Sequence, residues 1–488
     1  MTQTGVKKRF KKRRELIPRL DPDTGKPLSV QPPVLSGSGQ VSAKPSPEDA
    51  LEKRRRIILC LALALVFMRF SMIHQILEHL LHKDTYLLYL IGIPVLIGIP
   101  LAGGFKRPFE YRSAMFWTAF ALWMIPTSAF GMWRGDCVSL VIGYYKMEFV
   151  LLFAIGGLVT TWRECRWLMY TISAAALVNT ISVLLFGELD EGGRTSLTFG
   201  TVANSNDYSA HLIFVLPFLL WVILTTKSKY LRIGGFLVLA LGLYEILAAG
   251  SRGAMLGLVA AILVFAFTTT AKVRRIVLVA APILIALVIA LLPSKVVHRI
   301  FLYSADDSEI SAGAMESSKN REQLLEDSIR TTIRNPLLGV GPGQFSNYEG
   351  MRTAKSGEKL WYEAHNSFAQ IASENGFPGL IFYLGGILSS LFLLNKTGRL
   401  FVGKSDVEEA NAAVLCVRIG LISFCVTIFF VNFGYFFYLP AMGGIAIAVA
   451  ASTKQLVAMP IVRKKKRKSI TPSNPLIELT REIVRAKK

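Results

Sequence analysis

Two arginines and one histidine have the residue types and settings to hold a phosphorylated substrate and react it. Arg194 sits in Gly192-Gly193-Arg194-Thr195-Ser196, shortly before Asn204-Ser205-Asn206-Asp207, and Arg252 sits in Gly250-Ser251-Arg252-Gly253 between two apolar stretches. Glycine beside arginine leaves room for close approach, and a guanidinium forks onto phosphate bidentately. Held between two such cations, a diphosphate leaves readily, because they stabilise the charge it carries away. The hydroxyl that displaces it needs a base. His365, in Glu363-Ala364-His365-Asn366-Ser367-Phe368, suits that role near neutral pH, where an imidazole with an ordinary pKa of ~6.5 is largely neutral. Taken singly, each has a bland alternative: an arginine snorkelling to lipid head groups, a histidine satisfied within a fold. Their grouping on one side of a membrane, argued next, gives the catalytic reading its weight.

Other candidates are weaker. Glu245 precedes Arg252 by seven residues, two helical turns or ~10 Å on roughly one face, and could orient that arginine or line a cavity. Arg69, Lys146, Glu148 and Arg418 also interrupt apolar runs, and a buried ion pair would account for each equally well. Gly339, Gly341 and Gly343 lie in Asn335-Pro336-Leu337-Leu338-Gly339-Val340-Gly341-Pro342-Gly343-Gln344-Phe345. They do not follow a buried strand, as a dinucleotide loop requires, and read as structural turns. No HxH, HExxH or DxD cluster marks a metal site and no GxSxG marks a nucleophile elbow, so neither metal nor cofactor is expected.

The elements that must position these residues are membrane-spanning. The 488 residues are 52% hydrophobic and 18% charged, whereas soluble domains carry about 25% charged residues. Too few polar residues remain to cover soluble surfaces. Five cysteines without a CxxC spacing exclude a disulfide framework. About twelve apolar runs approach the ~20 residues that a spanning helix needs: 57–77, 86–103, 114–132, 139–160, 167–187, 208–226, 233–249, 254–271, 276–293, 376–394, 411–431 and 435–456. The expected fold is therefore an all-α polytopic membrane protein of about 12 transmembrane helices.

Lysines and arginines set the orientation. With the N-terminus in the cytoplasm, the loops on that side hold Lys106, Arg107 and Arg112; Arg163 and Arg166; Lys227, Lys229 and Arg232; Lys272, Arg274 and Arg275; and Lys396, Arg399 and Lys404. The opposite short loops carry one cation each, Lys83, Arg134, Arg194 or Arg252, or none. This is the positive-inside pattern with both termini cytoplasmic. Residues 1–50, with the basic run Lys7 to Arg14, read as a disordered cytoplasmic tail, residues 51–459 as the membrane core, and residues 460–488 as a second basic tail. The excess of 55 Lys+Arg over 33 Asp+Glu, net +22, then serves anionic lipids at the cytoplasmic face rather than nucleic acid. One external loop, 294–366, is far longer than the rest. Its stretch Glu316 to Arg334 places Leu324, Leu325, Ile329 and Ile333 at helical spacing among charges, an amphipathic helix that would lie on the membrane or on the protein. It re-enters the membrane at His365.

Arg321 through Arg330, Arg334 through Phe345, Ala364-His365-Asn366-Ser367 and Glu374-Asn375-Gly376 resemble the signature of the O-antigen ligase / O-antigen polymerase superfamily. Gly193-Arg194 with Asn204–Asp207, and Ala249-Gly250-Ser251-Arg252-Gly253, match its two upstream motifs in order. The resemblance implies an inverting, metal-independent glycosyltransferase of the bacterial plasma (inner) membrane. It would transfer or polymerise a glycan from an undecaprenyl-diphosphate donor onto a glycan, lipid or protein hydroxyl at the external face. It implies further that Arg194 and Arg252 bind the diphosphate and that His365 is the base, and leaves Glu374, Glu245, Arg321 and Arg330 as candidates for supporting roles. The family often reads Asn-Pro-Asn where this chain has Asn204-Ser205-Asn206, so the loop after Arg194 is expected to differ. A transporter or flippase without transferase activity is the rival of another class. Lys146, Glu148 and Glu245 would serve it, but no internal repeat accompanies them.

Overall fold

A computed structural model describes residues 47–190, 193–269, 271–292, 294, 296–297, 308–354, 363–401 and 407–458. Most of both tails, 1–50 and 460–488, thus lies outside the described residues. Sixteen α-helices are described. The first eight are α1 (Pro47–Ser71), α2 (Ile73–Leu81), α3 (Leu87–Leu101), α4 (Arg112–Ala129), α5 (Arg134–Gly143), α6 (Val150–Leu158), α7 (Trp162–Phe186) and α8 (Ser205–Thr225). There follow α9 (Lys229–Ala248), α10 (Arg252–Thr268), α11 (Ala271–Ala290), α12 (Ser308–Arg334), α13 (Phe345–Ala354), α14 (Ser367–Arg399), α15 (Glu408–Thr427) and α16 (Tyr438–Ala458). A π turn over Tyr144–Phe149 joins α5 to α6 as one apolar rod.

The fold is all-α and polytopic, and every apolar run read from the sequence falls on a helix. Six helices are long and apolar enough to cross a membrane among the described residues, or seven if α1 and α2, bent by 66° at Met72, form one span. That is fewer than the expected twelve. Helix length is the reason in two cases. At ~1.5 Å per residue, α3 and α10 extend only about 22 and 25 Å, short of a ~30 Å hydrocarbon core.

The core is centred on α16, whose stretch Ala441–Ala450 is buried all round. Its glycines and alanines let neighbours approach closely: Gly443 lies against Trp117 and Gly444 against Leu152. Helix α14 packs along α4, α15 lies between α8 and α10, and α16 packs on α6. Two arginines of this interior are paired with carboxylates. Arg69 pairs with Glu148 and lies 4.7 Å from the Phe437 ring centre, and Arg55 pairs with Glu164 at 2.6 Å.

Two features of the 294–366 segment shape the site. The first is α12, whose apolar and polar faces are reversed relative to a helix of a soluble protein. Asp327, Ser328, Thr331 and Thr332 are its buried side, while Leu325, Ile329 and Ile333 face outward, and of the expected apolar stripe only Leu324 is buried. Polar partners await the inward face: Glu349 of α13 accepts from Thr331 Oγ1 at 2.8 Å and from Arg352, which also reaches Asp327 at 2.9 Å.

The second feature is the glycine turn. Helix α14 breaks at Gly376 (φ 67°, ψ −176°), and the carbonyls the break releases are taken up from outside. Val340 N–H donates to Ser373 O at 2.9 Å, Gly341 N–H to Glu374 O at 3.0 Å, and Trp123 Nε1–H to Asn375 O at 2.9 Å. The two backbones touch, for a Cβ at Gly376 would stand 2.2 Å from Leu337 O. The glycines are therefore structural, as the sequence suggested. Gly376→Ala is expected to cost about 1–3 kcal/mol through its backbone conformation alone, with the clash added. Thermal unfolding of the purified variant in detergent would measure it, and an unchanged midpoint would contradict the account.

Candidate functional site

His365 immediately precedes Asn366, the cap of α14, and its backbone is left-handed, φ 47°. Such a conformation is uncommon for a side chain with a Cβ and persists only where the surroundings enforce it. Here they do. Asn366 caps α14 by accepting from Phe368 N–H and Ala369 N–H at 3.0 and 3.1 Å. Ser367 is stitched to the loop between α15 and α16: its N–H donates to Ile428 O, its hydroxyl to Val431 O at 2.7 Å, and it accepts from Phe433 N–H at 2.8 Å. The chain has no slack to relax the imidazole into an ordinary geometry.

Two arginines, Arg252 and Arg321, share a pocket with it. The helix of Glu245 ends at Ala248. Gly250 (φ 58°) then turns the chain, and Ser251 caps α10, so Arg252 occupies the first turn of a new helix. The N-terminus of α10 adds partial positive charge at that point. Arg321, on α12, feels both Arg252 and Arg194: burial first, then those two charges, push its pKa below the ordinary arginine value. Arg252, Arg321 and His365 line one pocket of about 390 Å³ with Asn366 and Phe430. Burial first, and Arg321 second, hold His365 below the ordinary imidazole value, against an opposing pull from Glu363.

Arg194 stands slightly apart. It lies between the paired strands β1 (Glu188–Leu189) and β2 (Thr195–Ser196), immediately before β2, and packs over the turn of Arg252, where a Cβ on Gly250 would lie 3.3 Å from its Cγ. Its guanidinium is engaged by Asp190, at 2.6 Å from both Nε and a terminal nitrogen. It does not line the pocket of Arg252, Arg321 and His365.

Three supporting candidates have other partners. Glu245 is not on one helix face with Arg252, because the chain turns at Gly250 between them; it accepts instead from the Tyr208 hydroxyl at 2.8 Å. Glu374 accepts from Gly343 N–H at 2.8 Å and Phe345 N–H at 3.2 Å, fastening the glycine turn to α14. Arg330 is half exposed and pairs with Asp327 at 3.0 Å, away from the pocket. Asn204 caps α8 by accepting from Asp207 N–H at 2.9 Å, so the departure from Asn-Pro-Asn is a regular helix start.

His365 also lines a second pocket, of about 250 Å³, with Asn204, Asp207, Glu363 and Asn432. Sequence reasoning singled out neither Glu363 nor Asn432. Glu363 lies two residues before His365, which was a usable signal. Asn432 is the single polar residue in Phe429-Phe430-Val431-Asn432-Phe433, and an isolated amide in an aromatic run that ends a span marks a polar lining. The whole arrangement can hold an anion against two cations and a helix terminus, and can present a neutral imidazole to a hydroxyl seated in the adjoining pocket. Among the described residues no group of three or more His, Cys, Asp or Glu is placed to hold a metal ion.

Residues 237–384, which include Arg252, Arg321 and His365, match the family described as O-antigen ligase. The chain is also similar to the teichuronic acid biosynthesis protein TuaE of Bacillus subtilis, 24% identical over 295 residues, or 57% of this chain. It spans 60% of that relative's length.

Proposed function

From an O-antigen ligase region that brings Arg252, Arg321 and His365 to one pocket, we propose that the chain is a glycosyltransferase of polysaccharide biosynthesis in the bacterial plasma membrane. It transfers or polymerises a glycan carried on undecaprenyl diphosphate, at the external face and without a metal. The donor's diphosphate lies against Arg252, Arg321 and the first turn of α10. Neutral His365 takes the proton of the acceptor hydroxyl. The acceptor oxygen bonds to the anomeric carbon as the carbon–oxygen bond to the diphosphate breaks, and the bonding pair departs with the diphosphate. Attack on the face of the anomeric carbon opposite the departing diphosphate inverts that centre. The convergence of imidazole and guanidinium on one cavity carries this reading. The acids of the spanning helices support it against a transporter, since Glu148 is matched by Arg69 and Glu245 is bonded to Tyr208.

Transfer from an undecaprenyl-diphosphate-linked glycan in proteoliposomes tests it, and no transfer by the intact chain would end it. The pH profile tests the base. The reacting form is the unprotonated imidazole, whose pKa is lowered, so rate is retained as pH falls to ~6.5 and is lost only below it. Arg321→Ala removes the charge that lowers that pKa, so the acid limb of kcat/KM is expected to move to higher pH. A limb that stays in place would show that the imidazole is not the titrating base.

A further inference from the structure

The two pockets that meet at His365 have opposite electrical character. One is lined by Arg252 and Arg321 against a single carboxylate, Glu322, so its balance is positive. In the other, the charged lining residues are Asp207 and Glu363, accompanied by the amides of Asn204, Asn206 and Asn432 and by the rings of Phe430, Phe433 and Phe436. We propose that this second pocket seats the terminal sugar of the acceptor, and that the sugar it takes is uncharged. The proposal rests on the transferase reading above and adds to it the acceptor's class.

Four observations carry it. His365 and Phe430 line both pockets, so one imidazole is reachable from the cationic side and from the acidic side. Polar groups here are arranged as donor and acceptor pairs: Asn432 Nδ2 donates to Glu363 at 2.8 Å, and Asn204 Nδ2 to Asp207 at 2.6 Å. A carboxylate beside an amide meets the vicinal hydroxyls of a sugar ring, which both donate and accept. Polar atoms are also left unmet: Asn432 Oδ1 is buried with no hydrogen-bond partner, which a native interior rarely tolerates.

The fourth observation is a continuation. Glu363, Asn432 and Phe436 also line a further cavity of about 460 Å³, reaching Tyr144, Gln370 and Tyr435. The Tyr144 side chain is 2% exposed and its hydroxyl too has no partner. Glu148 and Glu374 in that cavity are already engaged, by Arg69 and by the glycine turn. Glu363 thus stands at the junction of the two spaces, where a chain of sugars would pass. Like charges brought together at such a site are penalised, so a uronate or phosphate-bearing sugar is excluded there while the diphosphate is drawn to the other side.

The test uses the full chain in detergent without donor. Binding of methyl glycosides is measured by saturation-transfer NMR for gluco-, galacto- and manno-configured pairs, each a neutral sugar and its uronic acid. The expected result is that the best-bound neutral sugar exceeds its uronate by about tenfold or more, which corresponds to ~1.4 kcal/mol. Glu363→Gln is expected to narrow that ratio severalfold while undecaprenyl diphosphate binds as it does to the unaltered chain. Equal binding of the two members of the pair, no binding of any neutral sugar, or a Glu363→Gln variant that keeps the full ratio would overturn the proposal. Failure of the unaltered chain to bind undecaprenyl diphosphate would instead strike the transferase reading, and the sugar comparison stands apart from it.

Discussion

His365→Ala is expected to reduce glycan transfer by about 10²–10⁴-fold, the usual contribution of a positioned general base, while undecaprenyl diphosphate still binds. Its effect should fall on kcat, because the imidazole meets the acceptor proton only as the bond forms. The strained backbone supplies an independent check. Glycine adopts φ 47° without penalty, so His365→Gly should be as inactive as the alanine variant yet more stable than it, by about 1 kcal/mol. Single-turnover transfer and thermal unfolding measured side by side would settle both. A His365→Ala variant that transfers at the normal rate would remove the base from the mechanism.

Arg252→Ala is expected to be nearly as severe, with kcat/KM lower by about 10²–10³-fold, comparable to losing one preorganised donor to developing negative charge. Arg252→Lys should recover only part of it. A lysine keeps the charge but not the planar fork. Arg194→Ala should cost less than Arg252→Ala, because the Arg194 guanidinium is already engaged by Asp190 and stands outside the pocket of Arg252, Arg321 and His365. Steady-state kinetics across the three variants decides the order. An Arg194→Ala defect exceeding that of Arg252→Ala would mean that Asp190 releases its partner to the substrate.

Much of the frame was legible because hydrophobic run length is a strong signal. The placement of His365 and Arg252 together was legible because each sits at the edge of such a run, where a polar residue needs a reason. Arg321 was harder. A charged residue on an amphipathic helix ordinarily reads as solvated, and only the inward turn of the polar face of α12 makes it a site residue. Periodicity reveals that such a helix has two faces but not which one the protein keeps. The Tyr208 partner of Glu245 lies on another helix, 37 residues earlier, and no local spacing encodes that contact. Glu374 looked chemical from its place in a motif with Asn375 and Gly376. Its two bonds to the glycine turn give it a structural task as well, at a helix that stops and restarts.

The interruption at Gly376 has a mechanical consequence. Lifting the 336–343 stretch away as a flap would strand two carbonyls of α14 and the buried Glu374 carboxylate at once, at about 1 kcal/mol for each neutral hydrogen bond and more for the charged group. The rim of the cavity beside that stretch is therefore a collar riveted into a long apolar helix, and its opening would have to break all of those bonds together.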